Sequence, residues 1–199
     1  DRWHGADGPL TVSDLRCKNP LSDRFLAASA ELQLPMNADF NGERQEGMGY
    51  YQVTQRGGKR CSAAVAYLRP AADRPNLTVI AGAQAEKVIF EGRRAVGVRV
   101  RRKGGAETIA ARREVILSAG AFQSPQLLML SGVGPAEHLR AHGIDIVADS
   151  PEVGANLQDH IDYIVLRRTR SPDSVGLNAG TAARLLPALF AYKQRGEGD

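Results

Sequence analysis

The stretch GAFQSPQLLMLSGVG, residues 120–134, admits few backbones. Small and turn-forming residues stand at both ends and an apolar run fills the middle, so the chain must turn, form a helix and turn again in a short space. The preceding EVILSAG is continuously apolar rather than alternating, which predicts a strand buried on both faces. Ser124 is placed to cap, and Pro125 to begin, the helix that follows. A buried strand that ends in small residues and runs straight into a helix lets a ligand approach main-chain atoms at the carboxyl end of a sheet. Ser118, Ala119, Gly120 and Ala121 form that turn and leave room for a ribose or adenine, with the positive end of the helix pointing to the same place. The same residues equally suit plain packing of helix on strand, and the pattern alone leaves both readings open.

The rest of the chain reads as a mixture of helix and strand. KNPLSDRFLAASAELQL offers Asn19 as an N-cap, Pro20 at the first helical position and apolar residues at helical spacing. FNGERQEGMG is loop, YYQVT a short strand, and CSAAVAYL a short helix that Pro70 helps to end. NLTVI, AEKVIF, AVGVRV and ETIAAR are strand-like, with hairpin connections at EGRRAVG and RRKGGAE. GPAEHLRAHG is a short helix between Pro135 and Gly143, followed by a strand at IDIVADS, a loop at PEVGANLQDH and a strand at IDYIVLRRT. AGTAARLLPALFAYKQ is a helix interrupted by Pro187.

Composition narrows the function classes. The net charge of +4 comes from 26 basic residues interspersed with 22 acidic ones, in no long run, which argues against a nucleic-acid partner. Two cysteines, Cys17 and Cys61, are too few for a disulfide framework or a four-ligand zinc site, so a reducing cytoplasm is expected. No apolar stretch approaches the ~18–20 residues that span a bilayer. The chain opens on Asp1 and closes on RGEGD, and both ends read as internal to a longer polypeptide.

The 120–134 stretch resembles the second signature of the glucose-methanol-choline (GMC) family of flavin oxidoreductases, matched at Gly120, Ser124, Pro125, Leu127, Leu128, Ser131, Gly132, Val133 and Gly134. The resemblance extends through HGADGPL, NPL, FNGERQEGMGYYQVTQRGGKRCSAAVAYLRP, RPNLTVI, FEGRRAVGV and VGANLQDH, and is greatest with the bacterial alcohol and choline dehydrogenase branch. It implies a mixed α/β chain: part of an FAD-binding domain over residues 47–156, with portions of the substrate domain at 1–46 and 157–199. It implies FAD as cofactor, with cofactor contacts at Ala85, Ser118, Ala119 and Gly120. Hydride passes from an alcohol to the flavin in this family while a histidine takes the hydroxyl proton, a division in which cofactor and protein each supply one half of the chemistry.

The family's G-x-G-x-x-G turn does not occur here, and its catalytic histidine lies in a C-terminal segment this chain lacks, so no catalytic residue is assigned. The resemblance therefore implies the middle of a longer enzyme, inactive by itself, whose partners are a primary alcohol, an unidentified electron acceptor and the remainder of the polypeptide. Its location would be cytoplasmic, free or peripheral to the inner membrane. Choline is the second substrate. A cyanohydrin lyase on the same fold and a non-catalytic binding module are the rival classes.

Other residues invite chemistry less well. His160 follows Asp159, but adjacent side chains seldom converge on one target, so it reads as structural. His138 and His142 have a metal-binding spacing without a third ligand, and no metal site is expected. His4 lies in a turn with no assigned chemistry, and the pairs Arg93/Arg94, Arg101/Arg102 and Arg112/Arg113 read as solvated charges beside hairpin turns.

Overall fold

A computed structural model describes residues 2–169, 171, 173–174 and 179–195. The chain forms two compact units, one of residues 1–77 with 165–199 and one of residues 78–164.

Helix α1 (Pro20–Glu31) of the first unit starts as its sequence dictates. Asn19 stands at the N-cap, its side-chain oxygen accepting from the Leu21 N–H at 2.8 Å, and Pro20 follows. A cap of this kind contributes about 1 kcal/mol. Asn19 also donates to the Asp173 carbonyl at 3.3 Å, and Arg24 meets the Asp173 carboxylate at 2.9 Å. The Tyr50 hydroxyl donates to Asp23 at 2.9 Å, and desolvation together with that carboxylate raises the phenol above its ordinary pKa.

The glycine-containing loop after α1 is closed by a backbone bridge between Met36 and Met48 and held within by side chains. Asn37 donates to the carbonyls of Arg44 and Glu46 and accepts from the Asp39 N–H, while its own carbonyl leaves no room for a Cβ at Gly49. The strand expected at residues 50–54 reduces to one bridge, Val53 with Ser13, because the chain turns directly into a hairpin that takes the next residues. Strands β1 (Gln55–Arg56) and β2 (Lys59–Arg60) pair across Gly57 and Gly58, whose φ values of 57° and 73° suit the tight turn. The helix expected at residues 61–68 is a π-helical turn over Ala64–Leu68 that runs on into a 3-10 turn, Arg69–Ala71. Pro70 sits inside that second turn instead of ending the first, since a proline near the start of a turn gives up no required N–H bond.

The second unit is built on an antiparallel meander. Strands β3 (Gln84–Glu91), β4 (Arg94–Arg102) and β5 (Gly105–Ala110) follow one another in that order. The turns fall at the two expected hairpins, the first with Gly92 at φ 58°. Residues 76–80, expected as a strand, pair with no described residue.

Helix α2 (Gly120–Leu130) lies on β3. It begins earlier than expected, so Pro125 falls inside it and Ser124 does not occupy the N-cap position. The reason is Gly120: at φ 86° it swings the chain into the helix directly after Ala119. The strand expected over residues 114–120 does not form either. Ile116 is 76% exposed, and no described strand pairs with this segment, without which an extended apolar run makes no sheet. Residues 161–169 differ from expectation for the same reason, Ile161 being fully exposed.

A small crossover completes the unit. Strand β6 (Val133–Gly134) leads through α3 (Ala136–Ala141) to the parallel strand β7 (Ala148–Asp149). Leu139, with no exposed surface, anchors α3, and the Asp149 carboxylate accepts from the Ala136 N–H at 3.0 Å. Gly143 at φ 66° ends the helix, with the Ile144 N–H returning to the Leu139 carbonyl. Helix α4 (Ala179–Arg195) belongs to the first unit and passes through Pro187 without the expected interruption. No helix among the described residues is long and apolar enough to cross a membrane.

Gly132 is the least replaceable glycine of the crossover. Its φ is 89°, a Cβ would overlap the Asp145 carbonyl, and its own carbonyl accepts from Val147 and Ala148. Gly132→Ala is therefore expected to cost at least about 2 kcal/mol, read as a lower urea midpoint at unchanged m-value.

Candidate functional site

A cavity of about 300 Å³ opens in the second unit between the start of β3 and one face of α2. Gln84, Ala85 and Glu86 supply one wall, and Ala119, Gln123, Gln126, Leu127 and Leu130 the other. The α2 positions recur at helical spacing, which places them on one stripe. Ala85 is half-buried and Ala119 exposed, and their methyl groups leave the neighbouring main chain open.

The two walls are joined by Ser131. Its buried hydroxyl accepts from the Val88 N–H at 2.8 Å and donates to the Leu127 carbonyl at 2.5 Å, one partner on β3 and one on α2. The start of α2 is fixed by Ser124, whose Oγ accepts from the Ala119 N–H at 2.9 Å. Ser124 thus satisfies a backbone donor from within the helix rather than from the cap position expected for it.

Two of the four residues assigned to cofactor contact, Ala85 and Ala119, come together in this cavity. Gly120 and Ser118 adjoin Ala119 in the chain without lining it. Residue-by-residue reading passed over the amides of Gln84, Gln123 and Gln126; the helical spacing from Ala119 through Gln123 and Gln126 to Leu130 was the available signal. The Glu86 carboxylate is flanked by Arg99 at 3.2 Å and Arg101 at 2.5 Å, so it brings little uncompensated negative charge to the rim. Arg101 and Arg102 are accordingly paired across strands, the latter with Glu107 at 2.8 Å, rather than simply solvated.

The remaining candidates do not line that cavity. Asp159 accepts from the backbone N–H of His160 and does not orient its imidazole through that bond. The rings of His138 and His142 meet edge to face with centroids 4.7 Å apart, and no group of three or more metal-ligating residues occurs among the described residues. Cys17 is exposed and Cys61 buried, and the two are not joined by a disulfide. In the first unit a separate cavity of about 750 Å³ is lined by Trp3, His4, Asn41, Gln52 and Thr54 among others. The buried Gln52 Oε1 has no hydrogen-bond partner there among the described residues, while its amide nitrogen donates to the Ala38 carbonyl at 2.9 Å.

The meander thus docks on a glycine-started helix, and a cavity with an alanine on each wall lies between them. The family model described as GMC oxidoreductase matches residues 2–162, and the chain belongs to the GMC oxidoreductase family. It is 50% identical over 192 residues to an alcohol dehydrogenase (acceptor) of Pseudomonas putida, covering 96% of this chain and 35% of that protein. It is 46% identical over 193 residues to an oxygen-dependent choline dehydrogenase of Brucella ovis, with the same two coverages. Among solved structures it is similar to an FAD-dependent oxidoreductase from Chaetomium thermophilum, at a TM-score of 0.82 and 27% identity over 98% of this chain and 34% of that one. The chain thus spans about a third of the length of these relatives.

Ser124→Ala removes the acceptor for the Ala119 N–H. The expected outcome is a loss of about 1 kcal/mol in stability together with faster amide exchange at Ala119, measured by hydrogen–deuterium exchange.

Proposed function

We propose that this chain is the central portion of an FAD-dependent oxidoreductase acting on the CH–OH group of alcohols, and that the cavity between β3 and α2 takes the adenosine half of FAD. The observation that carries the reading is the meeting of Ala85 and Ala119 in one cavity, on a chain whose family and relatives are oxidoreductases. The residues present fit such a group. Alanine on both walls allows a planar base to reach main-chain atoms, and about 300 Å³ lies at the lower end of the ~300–1,000 Å³ typical of ligand pockets, room for part of a dinucleotide. Ser118 and Gly120 complete the turn beside it, and the unbonded N–H groups at the start of α2 favour negative charge nearby.

When bound, FAD supplies the hydride acceptor for oxidation of an alcohol carbon. The part of this chain is to hold and orient the cofactor: β3 and α2 form the walls, Ser131 sets their spacing, and Ser124 fixes the entry to the helix. The base that takes the hydroxyl proton is assigned to the polypeptide outside this chain. Residues 47–156 are assigned to the FAD-binding domain and residues 1–46 and 157–199 to the substrate domain. An alcohol is the substrate class that the 50% identity to the Pseudomonas putida alcohol dehydrogenase supports, and a primary aliphatic one is the reading proposed here; choline is the second reading, on the 46% identity to the Brucella ovis enzyme. A cytoplasmic location is proposed with it.

Two measurements on the full-length enzyme test the reading. Anaerobic addition of a primary alcohol is expected to bleach the flavin absorbance; no bleaching with any alcohol would favour a lyase on the same fold. Ala119→Phe, which fills the cavity, is expected to weaken FAD binding at least about tenfold through overpacking, and unchanged affinity would place the adenosine elsewhere.

A further inference from the structure

Glu86 is the extra residue of a β-bulge. Ala85 stands opposite Val100 and Lys87 opposite Arg99, so the ladder advances two residues on β3 for one on β4, and Glu86 has no partner. A bulge leaves its extra residue unpaired and re-aims the chain beside it. The chain beside this one is Ala85, on the wall of the cavity.

Nothing in the local sequence pins a bulge to Glu86 rather than one residue earlier. Moving it would return Ala85 to a different pairing, and a one-residue change of register transfers a side chain to the opposite face of a sheet. The position is marked instead by charge. Arg99 and Arg101 are two residues apart on β4 and therefore project from the same face. Arg99 Nε meets one oxygen of the Glu86 carboxylate at 3.2 Å, and Arg101 Nε the other at 2.5 Å. Both oxygens are engaged; with the bulge one residue earlier Glu86 would stand opposite Val100 and project from the other face, away from both guanidinium groups.

We propose that Arg99 and Arg101 are positioning residues for the cofactor site: by holding Glu86 they fix the bulge, and the fixed bulge keeps Ala85 facing the cavity. The inference rests on the adenosine reading of that cavity and assigns the arginines no contact with the ligand. The pairs are partly exposed, with side-chain accessibilities of 48% for Arg99, 61% for Arg101 and 24% for Glu86, so the effect is modest. An exposed pair of this kind corresponds to a factor of up to about five in an equilibrium.

The test uses the apo form of the full-length enzyme and compares FAD with FMN, which lacks the adenosine half. Wild type is expected to bind FAD more tightly than FMN. Arg99→Gln with Arg101→Gln is expected to weaken FAD about fivefold and leave FMN unchanged, the single variants falling between, while the double lysine variant, which keeps both charges, retains at least half of the preference. Thermal unfolding identifies any variant that fails to fold, and the single variants then decide. A glutamine variant that folds and keeps the wild-type ratio overturns the inference and leaves the adenosine reading standing, as does a lysine variant that falls as far as glutamine. A wild type without preference for FAD over FMN overturns the adenosine reading, and this inference with it.

Discussion

One buried hydroxyl sets the geometry of the second unit. Ser131 joins the Val88 N–H of β3 to the Leu127 carbonyl of α2, and the space between those elements is the cavity. A hydroxyl can accept and donate at once, and here both capacities are used at a buried position, where each bond matters more than it would at the surface. Alanine would come close to the same volume and leave the Val88 N–H unsatisfied. The signature that follows has parallel reasons: Gly132 must pass the Asp145 carbonyl, and Gly134 must lie against Met129. The motif is thus a mechanical joint between a meander, a helix and a crossover, and the ligand-sized space is a consequence of that joint.

Local chemistry made part of the fold legible. Asn19 and Pro20 announce α1, Gly92 and the Lys103–Gly104 pair mark the turns of the meander, and Pro135 and Gly143 bracket α3. Each signal acts through bonds within a few residues, so the sequence around it suffices. The Gly57–Gly58 hairpin carried the same kind of signal in QRGGKR, but its flanking polar pairs hid it from a search for apolar alternation.

What was illegible depends on distant partners. Residues 114–120 and 161–169 have strand-like composition, yet a strand exists only when another chain segment satisfies its backbone, and no described segment does so. Helix α2 was misplaced at its start because Pro125 resembles a first-turn proline, whereas the positive φ of Gly120 had already committed the chain to helix. For the site, Ala85 and Ala119 were nominated by resemblance, 34 positions apart in the sequence, and the fold brings both to one cavity. The bulge at Glu86 and the bridging role of Ser131 could not be read in advance, since both are defined by the element opposite.

The central claim is that the cavity between β3 and α2 receives the adenine end of FAD. Photolabelling the full-length enzyme with an azidoadenine analogue of FAD, followed by peptide mapping, tests it most directly. Label on the peptides containing Gln84–Glu86 or Ala119–Gln126, suppressed by excess FAD, is the predicted result. Suppressible label confined to peptides outside both walls would contradict the account.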